Sequence, residues 1–147
     1  METPKQTGRY LRYKLAFERM DEALQEGWLL EAISLQESII TDRLISILKA
    51  KGETVHTKHS LGRLISRVKK TMTGSAITSE GDFFNELEQW RDARNECVHA
   101  FCKLDDHAYA ANSSEIFSEK MWDTAKKGRE LVDLVRDLSR KTKTGRY

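Results

Sequence analysis

Three residues in the stretch "RNECVH" carry the side chains needed to cleave RNA without a metal ion. Arg94, Asn95 and His99 fall within two turns of a predicted helix. The guanidinium of arginine stays charged and neutralises the charge that gathers on phosphate in a transition state. Histidine titrates near neutrality, so it can move the proton of a 2′-hydroxyl or of a leaving oxygen. We therefore predict catalytic roles for Arg94 and His99, with Asn95 holding the imidazole or the phosphate in place.

Arg94 also lies in the middle of the apolar stripe of its helix. The stripe residues that project within about 60° of it are Phe83, Leu87, Trp90, Cys97 and Phe101. A charge there needs a partner, and Glu37 shares an arc of the second predicted helix with Ile33, Ile40 and Leu44. We predict a supporting Glu37–Arg94 ion pair. The alternative is that Arg94 reaches water from the edge of the stripe and that Glu37 is exposed.

The positions of apolar residues predict an all-α fold, an antiparallel bundle of about five helices. Apolar residues recur at helical spacing in segments at about 13–24, 28–51, 61–72, 80–103 and 115–140. Gly27 is expected to end the first helix, and Ser79 with Asp82 resembles a capping box that opens the fourth. The second helix is apolar over a wide arc, which predicts a place at the centre of the bundle or against a second subunit. We expect one domain over residues 1–147, with 1–9 and 141–147 as flexible ends.

Composition limits the classes of function. The chain has 147 residues and 39% hydrophobic content, enough for one domain with a core. A net charge of +2 does not by itself indicate a nucleic-acid binder, so RNA binding must come from a local patch. Arg63, Arg67 and Lys70 share a face of the third helix, and we predict that they bind RNA, the alternative being a solvated face. No window approaches a membrane span or a signal peptide, which predicts no membrane partner and a cytoplasmic protein.

Other residue clusters do not predict a site. Cys97, His99, Cys102 and His107 fan around one helix without a Cys-x2-Cys pair, so we predict no metal site and no cofactor. His56 and His59 lie in a turn and are expected to be surface residues. The three tryptophans are expected to anchor the core or an interface, and they are Trp28, Trp90 and Trp122.

The stretch "RNECVH" resembles the motif of a known family. It matches the Arg-Asn-x3-His form of the Arg-x4–6-His motif of the HEPN superfamily (higher eukaryotes and prokaryotes nucleotide-binding domains). Its place near the end of the fourth of five predicted helices is also similar. Arg-x4-His alone occurs by chance about one time in three in a chain of this composition, but an asparagine directly after the arginine lowers this to below about one in a hundred.

The resemblance implies a small α-helical domain that forms a homodimer. Two copies of the motif would converge at the dimer groove to form a metal-independent endoribonuclease that cleaves RNA, with Arg94 and His99 catalytic and Asn95 their polar neighbour. Many members are toxins of toxin–antitoxin or phage-defence systems, so an antitoxin or regulator protein is an implied partner. One toxin branch has a tyrosine two residues after the histidine. Phe101 stands there in this chain, so modification of that hydroxyl is not available.

A site shared between two copies also agrees with the directions in which Arg94 and His99 project from their helix. Arg94 and His99 are five residues apart and project about 140° from each other, so one helix does not aim both at one phosphate. Two helices that meet across a two-fold axis place each motif against its own copy. Some members of the superfamily have lost activity. The alternative function is therefore a catalytically inactive HEPN-like helical dimer that binds a protein or a nucleotide.

Overall fold

A computed structural model describes residues 4–56, 58–72, 78–99 and 113–144. The five helices in these ranges are α1 (Pro4–Glu26), α2 (Leu29–Ala50), α3 (Leu61–Met72), α4 (Thr78–His99) and α5 (Ser113–Thr144). The described ranges contain no strand, which confirms the prediction of an all-α chain with five helices. None of the described helices is long and apolar enough to cross a membrane.

Helix α2 is central to the bundle. It contacts each of the other four helices. Its buried residues lie around much of its circumference and are Leu29, Ala32, Ile33, Gln36, Ile39, Ile40, Leu44, Ser46, Ile47 and Leu48. Helices of the same chain therefore cover the wide apolar arc that the sequence predicted for this segment.

Two glycines end the first two helices with the same hydrogen-bond pattern. Gly27 has a φ of +78°, and the next residue, Trp28, donates its N–H to the carbonyl of Ala23 at 2.8 Å. Gly52 has a φ of +80°, and the N–H of Glu53 reaches the carbonyl of Leu48 at 2.9 Å. A positive φ is strained for a residue with a Cβ, so glycine suits both helix ends. The predicted role of Gly27 is confirmed.

Several helix limits differ from the sequence prediction. Helix α4 begins at Thr78, so Ser79 is its second residue and not the residue that precedes it. Helical backbone also extends to Pro4 and to Thr144, inside both segments that were expected to be flexible ends. Phe101, Cys102 and His107, which entered the sequence predictions, lie outside the described residues.

Ion pairs define the directions of the outer helices. Helices α1 and α2 are antiparallel, because Arg9 pairs with Asp42 at 3.2 Å and Arg19 pairs with Glu31 at 2.8 Å. Helices α4 and α5 are antiparallel too, because Glu86 pairs with Lys127 at 3.2 Å and Glu96 with Lys120. Helices α2 and α5 run in the same direction, so that the end of α2 lies beside the end of α5. The prediction that the bundle is antiparallel is therefore wrong for this pair of helices.

Candidate active site

A buried junction of three helices fixes the rotation of α4. The indole Nε1 of Trp90 donates to the carbonyl of Thr124 at 2.9 Å, and Gln36 Nε2 donates to the carbonyl of Ala125 at 2.8 Å. Both side chains approach the backbone of α5 at Gly128, where a Cβ would collide with Gln36 and lie 2.9 Å from Trp90 Nε1. The junction joins α2, α4 and α5, and it thereby determines which side chains of α4 face α2.

Arg94 faces α2 and forms the predicted ion pair. Its Nη2 donates to Oε1 of Glu37 at 2.5 Å. The Arg94 side chain is only 14% exposed, while that of Glu37 is 33% exposed. Such a short, charge-assisted contact holds the guanidinium in one orientation. The prediction of a Glu37–Arg94 pair is confirmed, and the alternative of an arginine that reaches water without a partner is wrong.

The Arg94 guanidinium keeps unused donors. Its Nε is buried and has no hydrogen-bond partner among the described residues. Glu37 occupies Nη2, and an arginine has five N–H groups in total. A buried donor without a partner costs about 1–3 kcal/mol. The pair with Glu37 therefore leaves one buried donor of the guanidinium unsatisfied in the described structure.

The other two predicted catalytic residues lie on a different side of α4. His99 is exposed and Asn95 is half-buried. Helix α4 is unbroken from Arg94 to His99, so the two side chains project about 140° apart. In the part of the chain that the structure describes, no hydrogen bond reaches the imidazole of His99. A single chain brings Arg94 to Glu37 but does not bring Arg94 to His99.

Arg91 is a candidate that was missed in the sequence. It lies one turn before Arg94, and on a regular helix it projects between Arg94 and His99. Its Nε is buried without a partner in the described structure, and its Nη2 lies 3.6 Å from Oδ1 of Asp92. It approaches α3 at Gly62, where a Cβ would collide with the guanidinium. The signal available in the sequence was the Arg-x2-Arg spacing, which places two cations on one side of α4.

One side of α4 is buried in the first half of the helix and exposed in the second half. Phe84 and Val98 project within about 40° of each other, yet Phe84 is 2% exposed and Val98 is 42% exposed. We call the exposed α4 patch the group of Arg91, Asn95, Val98 and His99. This patch combines two polar or titratable groups, a cation and an exposed aliphatic side chain.

The predicted basic strip on α3 is smaller than expected. Arg63 and Lys70 are exposed, but Arg67 is engaged. Its Nη2 donates to Oε2 of Glu53 at 3.0 Å and to the carbonyl of Thr54 at 2.9 Å. Arg67 thus fixes the connection between α2 and α3, and its predicted binding of RNA stays a prediction. Arg63 and Lys70 remain as the exposed cations of this strip.

The two histidines of that connection contact each other. The rings of His56 and His59 are 5.7 Å apart, edge to face, and Nδ1 of His59 lies 3.3 Å from Nη1 of Arg67. Partial burial and the positive charges of Arg63 and Arg67 lower the pKa of His59. A guanidinium can only donate, so this contact requires an unprotonated Nδ1.

The three tryptophans differ in their exposure to solvent. Trp90 is buried in the core, whereas Trp28 and Trp122 are exposed. Of the three tryptophans that were expected to anchor the core or an interface, only Trp90 therefore anchors the core.

Cys97 is a buried free thiol whose Sγ lies 3.6 Å from Oγ1 of Thr124. Among the described residues, no three His, Cys, Asp or Glu side chains are grouped so that they could hold a metal ion.

Comparisons with known proteins gave no relatives. No protein-family model matches this sequence, and neither the curated proteins nor the solved structures include a match. The resemblance to the HEPN superfamily is carried by Arg94, Asn95 and His99 and by the order of the five helices.

Proposed function

We propose that the chain is a HEPN-type, metal-independent endoribonuclease whose active site forms between two copies of α4. The observation that carries the proposal is the contact between Arg94 and Glu37. It keeps a cation with unused donors on the same helix as the exposed His99. Arginine and histidine together supply charge neutralisation and proton transfer, which are sufficient for cleavage of RNA by its own 2′-hydroxyl.

The exposed α4 patch is the proposed dimer contact. Two copies that meet there across a two-fold axis place the Arg94 of one copy near the partner subunit's His99. This arrangement removes the obstacle that both side chains diverge by about 140° on one helix. Val98 contributes apolar area to the contact, and Arg91 adds a second cation beside the proposed groove.

Each side chain has a role in the proposed reaction. One imidazole accepts the proton of the 2′-hydroxyl, whose oxygen attacks the adjacent phosphorus. The bond from phosphorus to the 5′-oxygen breaks, and the imidazolium formed by the first proton transfer protonates that oxygen. The products are a 2′,3′-cyclic phosphate and a 5′-hydroxyl end. Arg94, oriented by Glu37, donates to a phosphate oxygen whose charge rises in the transition state, and Asn95 holds the imidazole or the phosphate.

The proposed biological role is that of a toxin or phage-defence effector. Such an enzyme needs an antitoxin or another regulator protein, because unrestrained cleavage of cellular RNA is harmful to its host. The exposed cations Arg63 and Lys70 on α3 are proposed to contact the phosphate backbone of the RNA substrate.

A second function is favoured by the burial of Arg94. A guanidinium that is 14% exposed and already paired with a carboxylate also suits a purely structural contact between α2 and α4. The alternative is therefore a catalytically inactive helical dimer that binds a protein or a nucleotide. This dimer would form through the same patch and would leave every RNA intact.

One experiment separates the two functions. Purified protein is incubated with total RNA in excess EDTA, and the new RNA ends are analysed chemically. The ribonuclease proposal expects robust cleavage that leaves 2′,3′-cyclic phosphates and depends on His99. Cleavage that disappears with EDTA would rule out the proposed mechanism. An intact RNA pool together with a stable dimer would favour the binding module.

A further inference from the structure

A strongly basic pocket lies where the ends of α2 and α5 meet the start of α1. It encloses about 420 Å³. Five cationic side chains from these three helices line it, and they are Arg9, Arg43, Arg136, Arg140 and Lys143. Tyr10, Tyr13 and Ser139 complete the described wall, which contains no acidic side chain.

The charges of this basic pocket are only partly compensated. Asp42, just outside the described wall, is shared by Arg9 at 3.2 Å and Arg43 at 2.5 Å. In the described residues, no ion pair engages Arg140 or Lys143. Arg136 pairs with Asp133, outside the wall, at 3.3 Å. Asp42 thus serves two cations, while Arg140 and Lys143 face the same space without an ion pair in the described structure. Their mutual repulsion costs free energy, and an anion in the pocket would offset it.

Buried polar atoms in the wall also lack partners. Ser139 is 1% exposed, and its Oγ has no hydrogen-bond partner within the described structure. The same is true of the hydroxyl of Tyr13 and of Nε of Arg136. Buried polar groups are normally hydrogen-bonded, and each exception needs an explanation. Three exceptions around one basic pocket are explained together by a ligand that carries several acceptor oxygens.

Aromatic contacts hold two of the arginines in place. The guanidinium of Arg43 lies 4.5 Å from the centre of the Tyr13 ring, and that of Arg136 lies 5.3 Å from the Phe17 ring. Such stacking reduces the conformational freedom of the guanidinium groups before any ligand arrives. Burial, with the nearby charges of Arg43 and Arg9, also lowers the pKa of Lys143, as expected in a desolvated positive environment.

We propose that the basic pocket binds a chain of phosphate groups, the di- or triphosphate part of a small molecule. Arginine forks match the oxygens of phosphate, and several of them converge here from three helices. The pocket is a cleft between helix ends, of a volume that holds a compact ligand. Inorganic polyphosphate and a nucleoside triphosphate offer the same chemistry, so the shared phosphate chain is the proposed ligand.

The basic pocket is separate from the proposed ribonuclease site. Arg43 lies six residues after Glu37, about 9 Å further along α2. Helix α4 runs opposite to α5 and therefore opposite to α2, so His99 lies beyond Arg94 in the other direction. The two sites share no residue and extend in opposite directions along the bundle from Glu37, and the phosphate proposal does not depend on ribonuclease activity.

The test is direct binding of tripolyphosphate and of ATP, measured by calorimetry at about 0.15 M salt, where exposed charges are partly screened. We expect both to bind, within tenfold of each other, and Arg140→Gln/Lys143→Gln to weaken binding by at least tenfold. These two side chains are exposed and not ion-paired in the described structure, so the variant should fold. The matched control is Lys58→Gln/Lys126→Gln, which removes two exposed cations outside the pocket and should bind normally.

Three results would overturn the proposal. The first is absence of tripolyphosphate binding at millimolar concentration, including the case in which ATP binds alone. The second is an equal loss of affinity in the Lys58→Gln/Lys126→Gln control, which would indicate non-specific attraction. The third is that a short RNA without terminal phosphates competes for the pocket as strongly as tripolyphosphate does, when both are compared at equal phosphate concentration. That result would assign the pocket to the RNA backbone.

Discussion

Nη2 of Arg94 lies 2.5 Å from Oε1 of Glu37 and joins α4 to α2. The arginine is mostly buried, but a third of the glutamate side chain reaches water. Because one partner is mostly buried and the other partly exposed, the loss of stability on removing one partner should lie between the values for a buried and an exposed ion pair. A fully buried pair costs about 3–5 kcal/mol when one partner is removed, and an exposed pair costs about 0–1 kcal/mol.

Arg94→Ala should therefore lower the free energy of unfolding by about 1–3 kcal/mol, between those two limits. Glu37→Gln added to Arg94→Ala should recover part of the loss, because an amide replaces a half-hydrated, unpaired carboxylate. The measurement is denaturant unfolding at one fixed protein concentration, since the stability of a dimer depends on it. Equal stability of Arg94→Ala and the original protein would mean that the contact is not a stabilising one.

His99→Ala should separate catalysis from stability. The side chain is exposed, so the substitution should change the free energy of unfolding by less than about 0.5 kcal/mol. Loss of a general acid or base should reduce RNA cleavage by at least about a hundredfold. His56→Ala, at another exposed histidine, is the matched control and should cleave normally. Normal cleavage by His99→Ala would remove the ribonuclease proposal.

Local features of the fold were predictable from the sequence. The five helices follow from apolar periodicity, and Gly27 follows from the need for a positive φ at the end of α1. The partner of Arg94 was also predictable, because a central charge on an apolar stripe requires a countercharge, and Glu37 lies on the matching arc of α2.

Features that depend on which helices meet were not predictable. The basic pocket combines residues from α1, α2 and α5, which lie between positions 9 and 143 of the chain. Arg67 appeared to belong to a free basic strip because its partners, Glu53 and the carbonyl of Thr54, lie in an irregular connection. Periodicity describes the face of a helix, but it does not identify the loop or helix that covers this face.

Gly128→Ala should destabilise the fold although alanine favours helices. The gain in helix propensity is about 1 kcal/mol. The new Cβ would meet Gln36, which is fully buried and bonded to Ala125, and the rigid indole of Trp90. Overpacking of this kind costs about 1–3 kcal/mol, so a net loss is expected. Thermal unfolding checks it, with Gly8→Ala, at a position without neighbours within 4 Å, as the control.

The cations of α3 should divide into a structural and an RNA-binding class. Arg67→Ala removes the contacts to Glu53 and Thr54 and should cost about 0.5–1.5 kcal/mol of stability. Arg63→Ala/Lys70→Ala should leave stability unchanged but reduce the salt dependence of RNA binding. Two lost phosphate contacts on single-stranded RNA change the slope of log K against log salt by about 1.4. An unchanged slope would exclude these two residues from the RNA contact.

Mixing two inactive variants should restore activity if the active site is shared between copies. In a heterodimer of Arg94→Ala and His99→Ala, one of the two composite sites contains an intact Arg94 from one chain and an intact His99 from the other. Random exchange of subunits makes about half of the dimers heterodimers, and each heterodimer has one active site out of two. About a quarter of the original activity is therefore expected. The assay is RNA cleavage after the variants are unfolded and refolded together, with separately refolded variants mixed afterwards as the control. If each chain carried a complete site, the mixture would remain inactive, because no chain in it has both residues.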